Sequence, residues 1–262
     1  MTPKTGFDAA IERAQHLITL YELICDTRHR AIREDWASSF RNFMRWPANE
    51  ALVRIDGKDR QSLLILRESC GIDRSRFAHE YLSELLRSAV VASVSALDRM
   101  LHDHVVKHSW KLLKRSEDQI PKELQKLSIS ALDARKAVEH LRKNPKARPS
   151  SIVKKALQET LHREFTFQNP DAVLKAAKML GVSDFWGSVA RKMPGTPSKN
   201  EIISMLKAIT RRRNQIVHEA DLIRTNRHEP SLRDISLHEA SEWVDWMDDF
   251  GAAVDEVVAD AL

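Results

Sequence analysis

The chain has 262 residues, 30% of them charged and 6% aromatic, with seven glycines and 42 Lys/Arg against 37 Asp/Glu. That length holds one large domain or two small ones, and no apolar run approaches the roughly 18–20 residues that cross a bilayer, so no membrane role is expected. So few glycines argue against a Gly-rich phosphate loop, and the start Met1-Thr2-Pro3-Lys4-Thr5-Gly6 lacks the apolar stretch of a signal peptide.

In chain order, the pattern is helical almost throughout. Residues 7–45 read as one or two helices, with Ala10, Ile11, Ala14, Leu17, Ile18, Tyr21 and Ile24 at helical spacing. Trp36, Phe40, Phe43 and Trp46 make a second stripe, ended by Pro47. Residues 51–57 suggest a short extended piece with a turn at Asp56-Gly57. Ser62–Cys70 is read as helix, with Gly71 as its C-cap. Ser75–Lys107 is the longest uninterrupted apolar pattern. Pro121 opens a basic helical region with Leu124, Leu127, Leu132, Val138 and Leu141, and the prolines of residues 144–151 mark a connector. A short helix follows over Ile152–Phe165, and Asn169-Pro170 starts another, with Pro at the first helical position. Met193-Pro-Gly-Thr-Pro197 is a break. Ser198–Glu201 and Ser236–Glu239 are capping boxes that open the last two helices. The fold class expected is all-α. Cys25 and Cys70 stand apart and read as buried, reduced thiols of a cytoplasmic protein.

Charge is distributed unevenly. Residues 107–155 hold 14 Lys/Arg against 5 Asp/Glu, while residues 228–262 hold 1 Arg against 10 Asp/Glu. A basic middle can follow a phosphate backbone, which makes Lys111, Lys114, Arg115, Lys154 and Lys155 candidate RNA-binding residues. The plainer reading is a pair of solvated helix faces of opposite sign.

The most informative stretch is Arg211-Arg212-Arg213-Asn214-Gln215-Ile216-Val217-His218-Glu219-Ala220-Asp221. Arginine offers a permanently charged planar fork for phosphate oxygens. Histidine exchanges protons near neutral pH, and Asn214 adds a neutral donor and acceptor. The run resembles the HEPN signature in the register Arg213-Asn214-x-x-x-His218, and its wider context resembles the RiboL-PSP-HEPN branch. That resemblance implies an all-helical bundle over residues 69–262 with an N-terminal helical extension over residues 1–68. It also implies a homodimer, no cofactor and no metal, and RNA cleavage of the toxin or antiviral-defence type, with an antitoxin or other defence-system protein as partner. Arg213, Asn214 and His218 are then the catalytic candidates. Arg211 is the alternative register, since it shares a helix face with Asn214 and His218, and Arg212 reads as a phosphate contact or a solvated residue. Related toxins paired with nucleotidyltransferases often carry Tyr two residues after the His. Position 220 is Ala here, which disfavours that mode of neutralisation.

On a straight helix, positions five apart differ by roughly 140° in direction. Arg213 falls in phase with Ile202, Leu206, Ile209 and Ile216, whereas His218 lies off that stripe. The expectation is a bent helix, or a composite site in which a second copy brings the groups together. Glu219 and Asp221 are candidates for orienting the motif side chains, and Asp98 for salt-bridging a motif arginine from the long apolar helix. His102, His104 and His108 with Asp103 look like metal ligands but lack a companion Glu or a distant Cys/His set, so a solvated helix end is favoured. Trp186 and Trp243 read as core, and Phe165 and Phe167 as core rather than base-stacking rings. The competing function is a non-catalytic helical module that binds RNA or a partner protein.

Overall fold

Helix α1 (Pro3–Ile24) forms where the apolar spacing predicts it: Phe7, Ile11, Ala14, Ile18 and Tyr21 are all buried. Helix α2 (Glu34–Met44) follows, and Arg45 closes it in the left-handed conformation. The computed structural model describes residues 2–25, 31–144, 149–223 and 231–262. Strand β1 (Leu52–Asp56) confirms the extended piece expected there.

Residues 63–67 differ from the helical expectation. They form strand β2 (Leu63–Arg67), antiparallel to β1 from Leu52↔Arg67 to Asp56↔Leu63. A short continuous apolar run such as Leu63-Leu64-Ile65-Leu66 fits strand or helix equally well by periodicity. Pairing with β1 satisfies its backbone groups and decides the matter. Gly71 does adopt φ 73, capping a single 3-10 turn over Glu68–Cys70; Cys25 is buried as expected, but Cys70 on this turn is exposed.

Helix α3 (His79–Leu113) is the longest element, and Leu86, Val90, Val94, Leu97, Leu101 and Val105 on its broad face are fully buried. The basic middle is α4 (Lys122–Gln125), α5 (Ala131–Lys143) and α6 (Pro149–Glu164). Its apolar stripe is only partly used. Leu124 is buried, but Leu132 and Val138 are exposed. Residues 145–148 of the expected connector lie outside the described residues. Helix α7 (Pro170–Met179) starts as expected, with Asn169 Oδ1 accepting the Ala172 N–H at 2.9 Å. Helix α8 (Phe185–Lys192) ends before Pro194. Helix α9 (Lys199–His218) has the full reciprocal capping box of Ser198 and Glu201. Two-residue strands β3 (Leu222–Ile223) and β4 (Ser231–Leu232) precede α10 (Leu237–Ala261), where Ser236 Oγ accepts the Glu239 N–H. The fold is all-α, with two small strand pairs among the described residues. No helix among them is long and apolar enough to cross a membrane.

Contacts divide the chain into two units. The first comprises residues 1–11, 91–222 and 245–262, and the second residues 12–90 and 223–244. The first unit's core joins α3, α7, α8, α9 and α10 through Leu97, Val173, Phe185, Ile202, Leu206 and Val254. Trp186 stacks on Phe250 at 6.3 Å and Phe167 is fully buried, so both serve packing as expected; Trp243 is half-buried in the second unit.

Phe7 seats its ring against Gly251 of α10: a Cβ at Gly251 would fall 2.1 Å from Phe7 Cζ. Ala normally gains about 1 kcal/mol over Gly within a helix. Here overpacking a buried ring costs about 1–3 kcal/mol, so the loss wins. Gly251→Ala should lower the thermal unfolding midpoint by several degrees; an increase would contradict this packing.

Candidate active site

Helix α9 carries the motif on its last two turns. Ile202, Leu206 and Ile209 are fully buried, and the next buried positions are Thr210 and Arg212. Arg212, expected to be a phosphate contact or solvated, is 7% exposed and pairs with Asp221, itself 1% exposed. The pair is bidentate, Nη1 to Oδ1 and Nη2 to Oδ2, the latter at 2.9 Å. Arg212 therefore takes the inward phase assigned to Arg213, since a buried guanidinium is tolerable only where a carboxylate neutralises it.

The turn after α9 makes this pairing reachable. Ala220 and Asp221 both adopt positive φ, 50° and 56°, and the Asp221 N–H donates to the Gln215 carbonyl at 2.9 Å. Side chains other than Gly reach this region at a cost. The reversal folds Asp221 back onto the helix it follows. Glu219 is the C-cap residue between His218 and that turn.

Arg213, half-buried beneath the helix end, meets both of its motif partners within one chain. Its Nη1 donates to Asn214 Oδ1 at 3.2 Å and lies 3.4 Å from His218 Nε2. The expected need for a bent helix or a second copy to bring Arg213 and His218 together is thus corrected. Their Cα directions diverge, but five residues rise only about 7.5 Å, within reach of an arginine stem running along the last turn. Arg213 Nε is buried with no hydrogen-bond partner. Asn214 and His218 are exposed, as is Arg211. Arginine has only donors, so the His218 contact requires Nε2 to present its lone pair. The helix end thus displays an imidazole, an amide and an incompletely used guanidinium.

A RiboL-PSP-HEPN family model matches residues 61–260, well over half of the chain. The chain belongs to that family. No curated protein and no solved structure matches it. HEPN domains are commonly ribonucleases.

Within this RiboL-PSP-HEPN domain, Asp98 does not salt-bridge a motif arginine. Its Oδ1 accepts the Phe167 N–H at 2.6 Å and its Oδ2 the Gln168 side-chain amide at 3.0 Å. The Gln168 carbonyl in turn accepts Thr210 Oγ1 at 2.8 Å. Asp98 therefore braces the motif helix through the 167–168 segment, one turn ahead of Arg213. Arginines stay away because these donors already occupy the carboxylate.

His102 sits beside Asp98. Its Nδ1 faces the Asp98 carbonyl at 2.8 Å and the Asp98 carboxylate at 3.3 Å, while Nε2 faces the Leu161 carbonyl at 3.4 Å. Only an imidazolium can donate from both nitrogens. Burial opposes its charge, but the Asp98 and Leu161 contacts outweigh burial and hold its pKa above the ordinary value. Burial likewise opposes ionisation of Asp98, and its hydrogen bonds from His102, Phe167 and Gln168 win, holding it below the usual carboxylate range.

The solvated helix end expected for these histidines is not what forms: His102 and His104 are both buried. His104 Nε2 lies 2.8 Å from Asp255 Oδ1, and its ring stacks on His108 at 5.9 Å. Among the described residues no group of three or more His, Cys, Asp or Glu is placed to hold a metal ion. His108 is pushed down to about 4 by burial and by the neighbouring Lys107, His104, Lys111 and Lys154. That coupling puts lysines of α3 and α6 around one imidazole. Of the RNA-binding candidates, Lys111 Nζ also reaches the Leu262 carbonyl at 2.5 Å, and Lys114 lies 5.6 Å from the centre of the Trp110 ring. Arg115 and Lys155 are exposed and Lys154 half-buried. None of the five forms a hydrogen bond or ion pair with Arg213, Asn214 or His218.

Two tests follow from these supports. Asp221→Asn removes the carboxylate that pairs with the buried Arg212 guanidinium and should cost about 3–5 kcal/mol in urea unfolding. Pairing Asp221→Leu with Arg212→Met should recover most of that stability, and no recovery would assign the loss to the turn instead. For Asp98, the lowered pKa gives stability that is present above about pH 4 and lost as pH falls further. The raised His102 gives stability present below about pH 6.5 and lost as pH rises through its folded value. Asp98→Asn should therefore flatten the urea midpoint on both sides of that window, and an unchanged pH profile would remove the pair from the balance.

Proposed function

We propose that this chain is a metal-independent RNA endonuclease of the toxin or antiviral-defence type, centred on Arg213, Asn214 and His218. The observation that carries this reading is the 3.4 Å approach of Arg213 Nη1 to His218 Nε2 at an exposed helix end. RNA brings its own nucleophile, the 2′-OH, so a general base, a charge acceptor and a proton for the leaving group suffice. His218 Nε2 takes the 2′-OH proton. Arg213 turns from the imidazole to a non-bridging phosphate oxygen and stabilises the charge that develops there. Entry of the phosphate thus frees the lone pair that acts as base. Asn214, bonded to Arg213, holds the guanidinium in register. The 2′-oxygen to phosphorus bond forms as the bond to the 5′-oxygen breaks, and the imidazolium of His218 gives its proton to that oxygen, leaving a 2′,3′-cyclic phosphate and a 5′-hydroxyl. The lysines of α3 and α6 hold the flanking backbone of the strand.

The homodimer belongs to this reading through the family resemblance. A two-fold axis would set two Arg213–His218 pairs side by side, each already assembled in its own chain. A different observation favours a second reading, a non-catalytic module binding RNA or a partner protein. At rest Arg213 occupies the His218 lone pair, which is the state of a motif retained for structure.

Cleavage of RNA by purified protein in EDTA, with analysis of the product ends, separates the two. His218→Ala should lower the rate about 10²–10⁴-fold without changing the unfolding midpoint, and Arg213→Ala should do the same. Metal-dependent cleavage leaving 5′-phosphates would refute the mechanism, and undiminished RNA binding without cleavage would establish the module. In heterodimers of the two variants, activity restored by one intact pair would show a composite site.

A further inference from the structure

Ahead of most of the family match, the second unit contains a cavity of about 620 Å³ between the start of α2 and the β1–β2 hairpin. Its volume falls within the roughly 300–1,000 Å³ usual for small-molecule sites. One wall begins with an aromatic ladder. Trp46 packs edge-on to Phe40 at 5.7 Å, and Phe40 stacks on Trp36 at 4.9 Å with an interplanar angle of 16°. Arg67 covers Trp46, closing that end of the ladder. The other end is open: Trp36 is 40% exposed and lines the cavity.

The opposite wall is the hairpin face carrying Arg54 and Leu63. Register puts Leu63 across from Asp56, and Arg54 two residues away on the same face. Arg54 is fixed there, with Nε and Nη2 both 2.9 Å from Asp56 Oδ1. At the rim Arg33 pairs loosely with Asp35 at 3.1 Å, and both are exposed. The lining thus offers one unfinished aromatic stack, two guanidiniums and one carboxylate.

We propose that this cavity binds a nucleobase carrying a phosphate. The base extends the ladder on Trp36, with Ile32 and Leu63 as apolar flanks. Asp35 accepts from ribose hydroxyls or base N–H groups, and Arg33 and Arg54 take the phosphate. A purely apolar ligand would leave the two arginines and Asp35 unused, and an inorganic anion would leave Trp36 unused. Two sources share this chemistry, a free nucleotide and an unpaired nucleotide of an RNA strand. The inference concerns binding alone and stands apart from the ribonuclease reading.

The test uses the full chain carrying His218→Ala, titrated calorimetrically with adenosine, AMP and a five-residue oligoadenylate. Saturable one-to-one binding of AMP, tighter than adenosine, is expected for a free-nucleotide site. Binding of the oligonucleotide but not AMP assigns the same cavity to an RNA strand. In either case Trp36→Ala should weaken binding about tenfold or more, while Trp36→Phe retains a stacking face and should stay within about threefold of the parent. Arg33→Ala, at an exposed position that leaves the fold intact, should abolish the preference for phosphorylated ligands. If no probe binds, or binding is indifferent to both Trp36→Ala and Arg33→Ala, the inference is overturned. Cleavage by the parent protein would be untouched by that outcome.

Discussion

The buried ion pair between Arg212 and Asp221 is the constraint on which the candidate site depends. The last turn of a helix ordinarily frays, because its final carbonyls lack intrahelical partners. Here the chain reverses through Ala220 and Asp221 in left-handed conformations, each costing about 1–3 kcal/mol. That reversal delivers the Asp221 carboxylate to the buried Arg212 guanidinium. The gain runs in both directions: the turn neutralises Arg212, and Arg212 holds the turn. His218, the final helical residue, is thereby fixed although its own side chain is exposed. The exposed chemistry rests on a support that solvent does not reach.

Asp98 acts in the same way at Thr210, two residues before Arg212. Its carboxylate, stabilised as an anion by three donors, organises Phe167 and Gln168, and Gln168 holds Thr210 on the motif helix. Two acids, Asp221 buried and Asp98 half-buried, thus anchor the end of α9, one through Arg212 and the other through the 167–168 segment and Thr210. Neither touches Arg213, Asn214 or His218. The motif residues keep their polar groups for one another and for a ligand, while neighbouring residues carry the cost of holding the helix in place.

This division explains what the sequence made legible. Apart from the helix expected over Ser62–Cys70, the main helices, the Ser198–Glu201 capping box, the Asn169 cap and the Gly71 turn all follow from local rules, and each is present. The motif itself is contiguous and could be read directly. Strand β2 is hidden because a four-residue apolar run has no distinguishing period and takes its identity from a partner strand. Helical phase turns Arg213 inward where the structure buries Arg212, because spacings of three and four fit the stripe equally well. What decides between them is a carboxylate nine residues on, returned by positive φ at residues that are not glycine. No local signal announces such a turn. Asp98 was noticed as an acid on an apolar helix, but its partners lie some 70 positions away, beyond the reach of periodicity.

The convergence of Arg213 and His218 within one chain also separates two questions that helical phase had joined. Phase angles describe where Cα–Cβ bonds point. They constrain short side chains closely and arginine weakly, because its stem can travel more than a helical turn. A 140° divergence at the backbone is therefore no argument for a second copy when one partner is arginine and the other ends the helix. Under the proposed function, whether the chain dimerises then bears on how many sites meet and how an RNA strand would cross them. It does not bear on whether a guanidinium and an imidazole can act on the same phosphate, because a single chain already brings them within 3.4 Å.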